Sequence, residues 1–263
     1  MMDISLKDKV ALVSGSTQGI GKATAEGLAS MGAKVILLAR NEDKLKSALS
    51  DLKAIADTGH DYIVADFSNP DEVKKSVEKM LVKHPQIHIL VNNTGGPPAG
   101  KAIDADVDEF KKAFDMHLIC NHIITGLLVD EMKKSGYGRI INVISTSVKQ
   151  PLPNLGVSNT IRGAVANWSK TLATELGPFG ITVNNVLPGA TATARLDAIA
   201  GKKSSETGKS VAEILTEMGK DAPLQRVGQP VEVANGICFL ASPAASYING
   251  INLPIDGGRT KSL

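Results

Sequence analysis

The sequence predicts an α/β fold in which a single parallel sheet carries helices on both faces. Three observations support this. Seven short aliphatic runs recur along 263 residues. The runs are nearly continuous rather than alternating with polar residues, as in strands covered on both sides. The segments between them are long enough for the crossover helices that parallel neighbours require. The strands are expected at 10–13, 35–38, 62–64, 87–91, 140–144, 181–183 and 251–253. Pro254 lies against the last run, which places that run at a sheet edge or strand end.

The helices follow from the intervening patterns. One is expected to begin near Ile20, just after the first strand. Over 108–134, Phe110, Phe114, His117, Asn121, Ile124 and Leu128 fall on one stripe, predicting a long amphipathic helix, and a second is expected over 154–177. Residues 195–221 differ. Gly201-Lys202-Lys203-Ser204-Ser205 and Thr207-Gly208-Lys209 are polar and predict a flexible stretch before a short amphipathic segment at 211–218. Such an insertion is either a lid over a site or a mobile surface excursion. There is no linker and no internal repeat, so 1–263 reads as one doubly wound domain with a lid-like segment.

Composition excludes several function classes. Hydrophobic residues make up 43% and charged residues 21%, enough for a substantial aliphatic core. The 29 Lys and Arg nearly balance the 27 Asp and Glu, with no sizeable basic cluster, so no nucleic-acid partner is expected. The longest uncharged stretch, 176–194, is broken by Gly, Pro and Asn and does not suit a membrane span. Cys120 and Cys238 have no metal-ligand spacing and read as buried, reduced thiols. His84 and His88 are four apart, but Pro85 interrupts any helix that would align them, so no metal is expected. With no apolar leader-like run near the start, a cytoplasmic location is expected.

The first strand runs into Ser14-Gly15-Ser16-Thr17-Gln18-Gly19-Ile20-Gly21. Glycines here permit a tight turn and let backbone N–H groups approach a pyrophosphate at a helix N-terminus. Gly21-Lys22 does not make a phosphate-binding P-loop, which needs Gly at position 16 and Ser or Thr at position 23; these are Ser16 and Ala23. A dinucleotide is therefore expected in a Rossmann-type site. At the end of the second strand, the acid that would accept from an adenosine 2′-hydroxyl is missing, and Ala39-Arg40-Asn41 stands there instead. Arg40 suits a 2′-phosphate, so NADP(H) is expected over NAD(H).

These residues resemble the short-chain dehydrogenase/reductase family across essentially the whole chain, and its 3-oxoacyl-ACP-reductase-like members in particular. The resemblance rests on the glycine loop at 14–21, Asp66-Phe67, Asn92-Asn93-Thr94-Gly95, and Gly138-Arg139-Ile140-Ile141-Asn142 leading to Ser145. It continues through Pro188-Gly189, Thr191, Thr193, Arg226-Val227-Gly228-Gln229-Pro230 and Asp256-Gly257-Gly258. It implies cofactor contacts from Gly15, Thr17, Gln18, Gly19, Ile20, Asp66, Phe67, Asn93, Gly95, Pro188, Gly189, Thr191 and Thr193.

The family's Asn-Ser-Tyr-Lys tetrad is matched only at Ser145. Alignment on Lys170-Thr171-Leu172-Ala173 puts Ser158 at the Tyr position, Arg162 at the Lys position and His117 at the Asn position. The chain thus resembles an atypical subgroup without the Tyr-x-x-x-Lys pair, to which Gly95-Gly96-Pro97-Pro98 and 148–154 also belong in character. A serine hydroxyl ionises far less readily than a tyrosine, whereas Arg162 keeps a charge for ribose hydroxyls. The expected catalytic set is Ser145, His117, Ser158 and Arg162. His117 is the candidate acid because its ordinary pKa of about 6.5 suits neutral pH, and Lys149 is a second titratable candidate.

Two functions follow from this resemblance. One is hydride transfer between NADP(H) and a small-molecule carbonyl or alcohol, such as a 3-oxoacyl thioester. The other is a catalytically impaired NADP(H)-binding sensor or scaffold. The apolar helices at 108–134 and 154–177, with the resemblance, imply a homodimer or homotetramer.

Overall fold

The computed structural model describes residues 2–262, so Met1 and Leu263 of the expected 1–263 unit lie outside it. Among these residues, seven strands form one sheet in the order β3-β2-β1-β4-β5-β6-β7. They are β1 Val10–Ser14, β2 Lys34–Ala39, β3 Asp61–Val64, β4 Ile89–Asn92, β5 Gly138–Val143, β6 Ile181–Pro188 and β7 Asn252–Ile255. Every pairing is parallel, and β7, with Pro254, is an edge strand as its proline requires.

The absence of polar alternation has its explanation in the two cores. Ala11, Val13, Val35, Leu37, Ile89, Val91, Ile141 and Val143 face one side. There they meet helices α1 Gly19–Ser30, α2 Glu42–Ile55 and α9 Pro230–Ala241. The intervening Leu12, Ile36, Leu38, Leu90, Ile140 and Val183 face the other. Their partners are α3 Pro70–Lys83, α5 Cys120–Ser135 and α6 Gly156–Leu176. Small residues allow close approach: a Cβ on Gly27 of α1 would sit 2.7 Å from the Cys238 sulfur of α9.

Two helical expectations are corrected. The helix over 108–134 is α4 Val107–Phe114 and α5, joined without a break by a π-helical turn, Asp115–Ile119. The widened turn shifts the stripe, so Phe114 is 39% exposed while His117, Asn121, Ile124 and Leu128 are buried. The flexible stretch at 201–209 is mostly helix. Helix α7 Ala194–Thr207 is capped by Thr193, anchored by buried Leu196 and Ala200, and stopped by left-handed Gly208. Helix α8 Val211–Lys220 follows, opened by a Ser210–Glu213 capping box. Lysines and alanine propagate a helix once two apolar residues fix one face, and that tertiary anchor was not visible in the polar composition.

A row of asparagines crosses four neighbouring strands of the sheet. Asn92, Asn142, Asn185 and Asn252 are register partners on β4, β5, β6 and β7. Their amides join in series: Asn92 Nδ2 donates to Asn142 Oδ1 (2.8 Å), Asn142 Nδ2 to Asn185 Oδ1 (3.2 Å), and Asn185 Nδ2 to Asn252 Oδ1 (2.9 Å). Slipping any one strand by a residue would break the chain, so the row fixes the register of the strands that carry the site.

Candidate active site

The strand order reverses between β1 and β4, and a crevice outside the carboxyl ends is expected at such a switch point. Parallel pairing puts the segments after Ser14, Ala39, Val64, Asn92, Val143 and Pro188 on one edge. The three tyrosines are elsewhere. Tyr62 and Tyr137 stand at the amino ends of β3 and β5, donating to Glu42 (3.0 Å) and the Ala241 carbonyl (2.9 Å). Tyr247 is fully exposed ahead of β7.

The glycine loop has the shape of a phosphate cradle. Gly15 and Gly19 adopt φ of 60° and 55°, which only glycine takes without strain. A Cβ on Gly15 would lie 2.3 Å from the Asn93 carbonyl oxygen, and one on Gly21 would lie 2.2 Å from the Gly15 carbonyl oxygen. Asn93 closes the turn, its Nδ2 donating to the Ser14 and Gly15 carbonyls at 3.3 Å. The extended Gln18 gives α1 no side-chain cap, and no acid stands in the first turn. Helices α2 and α3 differ: Asn41 and Asn69 cap them and carboxylates fill their first turns. The unsatisfied N–H groups of α1 therefore fit a pyrophosphate, with Thr17, Gln18 and Ile20 around them.

Arg40 follows β2, its side chain 79% exposed and 3.9 Å from the Asp66 carboxylate. That loose pairing leaves the guanidinium available to a phosphate. Asp66 accepts from the Ser68 N–H at 2.9 Å, and this bond, with Arg40 contributing, holds its carboxyl below the usual range. Phe67 beside it is buried.

Across the crevice, Pro188 ends β6 and Gly189 packs so tightly that a Cβ would meet Asp256 Cα at 2.7 Å. The Thr191 hydroxyl donates to the Gly189 carbonyl and that of Thr193 to the Thr191 carbonyl. Thr193 also touches the cradle, its Cγ2 being 3.1 Å from where a Gly19 Cβ would lie. Gly95 borders open space.

Ser145 follows β5, and its Oγ accepts from the Ser147 N–H at 3.1 Å, which leaves its own proton free to donate. Ser158 and Arg162 lie one turn apart on the sheet-facing side of α6, both nearly buried. Arg162 Nη1 donates to the Val143 carbonyl (2.8 Å), while its buried Nε has no partner. Burial, with a contribution from Arg195, brings the Arg162 pKa down to about 10.

His117 sits in the π-helical turn, 1% exposed, with Nδ1 2.7 Å from Thr94 Oγ1 and Nε2 buried without a partner. Burial, then Arg162 and Arg195, push its pKa down to about 2. The expectation of a histidine titrating near neutrality therefore needs correction, because desolvation and two nearby cations keep the ring neutral. His84 and His88 both lie past the end of α3 at Lys83, His84 pairing with Asp61 (2.8 Å) and His88 accepting from the Val10 N–H (3.1 Å). Among the described residues no cluster suits a metal, and no helix is long and apolar enough to cross a membrane.

Sequence reasoning missed Arg195 and Thr94 as site residues. Arg195 lies in the first turn of α7, two residues past Thr193, and its Nη2 donates to the Pro97 carbonyl at 2.5 Å. Nothing in the local pattern signalled this contact, which spans 98 positions of chain.

Fold and cradle together define a doubly wound α/β protein whose glycine turn suits a nucleotide phosphate. The chain matches the family described as Enoyl-(Acyl carrier protein) reductase over residues 15–260. It is 36% identical to a 3-oxoacyl-[acyl-carrier-protein] reductase of a Synechocystis species over 259 residues, 97% of this chain and 98% of the relative. It is 31% identical to the short-chain reductase protein NovJ of Streptomyces niveus over 255 residues, covering 96% and 94%. Among solved structures, L-sorbose reductase of Gluconobacter frateurii, complexed with NADPH and L-sorbose, superposes with a TM-score of 0.94 at 32% identity over all of both chains. The chain belongs to the short-chain dehydrogenase/reductase family and is an NAD(P)H-dependent oxidoreductase.

Proposed function

We propose that this chain is an NADP(H)-dependent carbonyl reductase whose active centre works without the family's Tyr-x-x-x-Lys pair. The observation that carries the reading is the uncapped, glycine-built start of α1 with a weakly paired Arg40 just past the neighbouring strand. The α1 N–H groups, Asp66, Phe67, Asn93, Gly95, Arg162, Pro188, Gly189, Thr191 and Thr193 would hold the rest of the dinucleotide. When bound, NADPH supplies hydride to the carbonyl carbon.

The chain's own groups do the rest. Ser145 donates its hydroxyl proton as a hydrogen bond to the carbonyl oxygen, its orientation set by the Ser147 N–H. Arg162, fixed by the Val143 carbonyl, places positive charge where alkoxide character develops. Ser158, one turn away, supplies a hydroxyl that relays a proton from water to the product alkoxide. His117 is a neutral ring hydrogen-bonded to Thr94 at Nδ1; it would join the relay through a water or substrate group placed at its unpartnered Nε2. General-acid catalysis contributes roughly 10²–10⁴-fold, so a relay of weak donors gives slow but measurable turnover.

A 3-oxoacyl thioester is one fitting substrate, as in the Synechocystis relative's name. Helices α7 and α8 would serve as the lid. Ile103, Val107 and Phe114 form an exposed apolar line along α4 and its lead-in, which fits a homodimer or homotetramer; light scattering reads the mass. The buried thiols of Cys120 and Cys238 suit a reducing, cytoplasmic setting.

The neutral His117 and the lack of a tyrosine at the carboxyl edge favour a second reading, a sensor or scaffold that binds NADP(H) without turnover. NADPH oxidation with 3-oxoacyl, diketone and aldehyde substrates, beside calorimetric NADPH binding, separates the two. Binding without turnover selects the sensor. Arg40→Asp should lower the NADPH-over-NADH affinity ratio by at least about tenfold, the weight of one charge-assisted hydrogen bond. An unchanged ratio refutes the assignment of Arg40.

A further inference from the structure

Above the carboxyl ends of β4 and β5 the chain builds a roof whose chemistry goes beyond holding a dinucleotide. The loop after β4 carries Gly95-Gly96-Pro97-Pro98, and the loop after β5 continues to Asn154. The two are tied together: Gly100 N–H donates to the Asn154 carbonyl (2.8 Å) and Gly156 N–H to the Gly100 carbonyl (2.9 Å). Helix α7 is tied to the same loop twice, by Arg195 on the Pro97 carbonyl (2.5 Å) and Lys202 on the Ala99 carbonyl (3.1 Å). The Arg195 guanidinium lies along Gly96, where a Cβ would come within 3.5 Å of Nη2. The stiff proline loop thus fixes a cation.

That cation is not alone. Arg195 is close enough to Arg162 and His117 to disfavour positive charge on both, and Arg162 does the same to His117. No carboxylate lies near enough to shift any of these three groups, and neither arginine forms an ion pair among the described residues. Arg162 is 8% exposed and Arg195 is half-buried. Arg162 is held at the end of β5 by the Val143 carbonyl with its buried Nε unpartnered, and Arg195 is held on the loop after the neighbouring β4 by Pro97. Two desolvated guanidiniums so placed, with no carboxylate beside them, are unfavourable unless an anion completes the set. The anionic parts of a dinucleotide already have their own provisions, the α1 N–H groups and Arg40.

We propose that the carbonyl substrate carries an anionic oxygen group, a carboxylate or phosphate, which Arg195 binds at the roof beside Arg162. The proposal rests on the reductase reading for the site's location, and Arg195 becomes its specificity-determining residue. A guanidinium with one nitrogen committed to Pro97 keeps further donors for an oxyanion and is already oriented.

Calorimetry on NADP⁺-saturated protein tests this with matched pairs: 4-oxopentanoate against its methyl ester, and dihydroxyacetone phosphate against dihydroxyacetone. The anionic member of at least one pair should bind about thirtyfold tighter, within the range of one charge-assisted hydrogen bond. Arg195→Ala should reduce that preference to about threefold or less while the NADPH Kd stays within about threefold. Arg195→Lys should retain part of the preference. Equal binding of both members in the native protein overturns the proposal. So does an Arg195→Ala variant that keeps anion preference but weakens NADPH about tenfold or more, because the arginine then serves the cofactor. If NADPH itself does not bind, the reductase reading fails. The same titration without nucleotide then decides separately: Arg195-dependent anion binding supports the proposal, and its absence overturns it.

Discussion

Replacing Asn142 with alanine should destabilise the protein more than any other single change in the asparagine row. Asn142 is fully buried on β5 and makes three side-chain bonds: from Asn92 Nδ2 (2.8 Å), to Ser169 Oγ (2.9 Å) and to Asn185 Oδ1 (3.2 Å). Ser169 keeps its bond to the Val165 carbonyl (2.7 Å), so its loss is mild. Asn92 Nδ2 loses its acceptor, and Asn185 Oδ1 loses its donor, in a place water does not reach. Each buried orphan costs about 1–3 kcal/mol, so Asn142→Ala should cost about 2–6 kcal/mol. Against a total stability of about 5–15 kcal/mol that is a large fraction. Asn252 ends the row on edge strand β7 and is half-buried, so water replaces its side chain and Asn252→Ala should cost about 1 kcal/mol or less. Urea unfolding followed by circular dichroism gives both numbers from the midpoint shift at constant slope. A cost for Asn142→Ala under about 1 kcal/mol, or equal costs at the two positions, would refute the idea that the row holds β4, β5 and β6 in register.

The remaining predictions concern the crevice. Gly15→Ala combines a left-handed φ of 60° with a Cβ 2.3 Å from the Asn93 carbonyl oxygen, so the turn must move. NADPH binding by calorimetry should weaken at least about tenfold, and native-like affinity would show that the loop does not cradle the cofactor. His117 stays neutral in the fold down to about pH 2, whereas the unfolded chain protonates it at about pH 6.5. The unfolded state therefore takes up one more proton between those values, and acidification costs about 1.4 kcal/mol of stability per pH unit there. His60 and His88 are also pushed down by burial, so the readout is a difference. Between pH 7 and pH 4.5, native protein should lose about 2–3 kcal/mol more than His117→Gln. Parallel pH profiles would mean that His117 is accessible to protons in the native state.

Much of the fold was legible because it is written in local pattern. Val10 to Ser14 and Lys34 to Ala39 bury residues on both faces, and an unbroken aliphatic run between helical stretches has few other uses. The glycine turn was legible for a related reason: Gly15 and Gly19 serve a turn that their own backbone makes. The helix over 201–207 was not legible, since its polar residues fold on the anchors Leu196 and Ala200.

The sequence by itself therefore determined the sheet, its helical cover, the glycine turn after β1 and the absence of a tyrosine one turn before Arg162. Tertiary structure alone decided the charge state of His117, because that depends on burial and on guanidiniums 45 and 78 positions away along the chain. It also decided the asparagine row and the clasp of Arg195 on Pro97, which join residues from separate strands and loops. Local periodicity specifies which face a residue shows. Solvation, charge balance and hydrogen-bond partners are set by whatever the folded chain brings to that face.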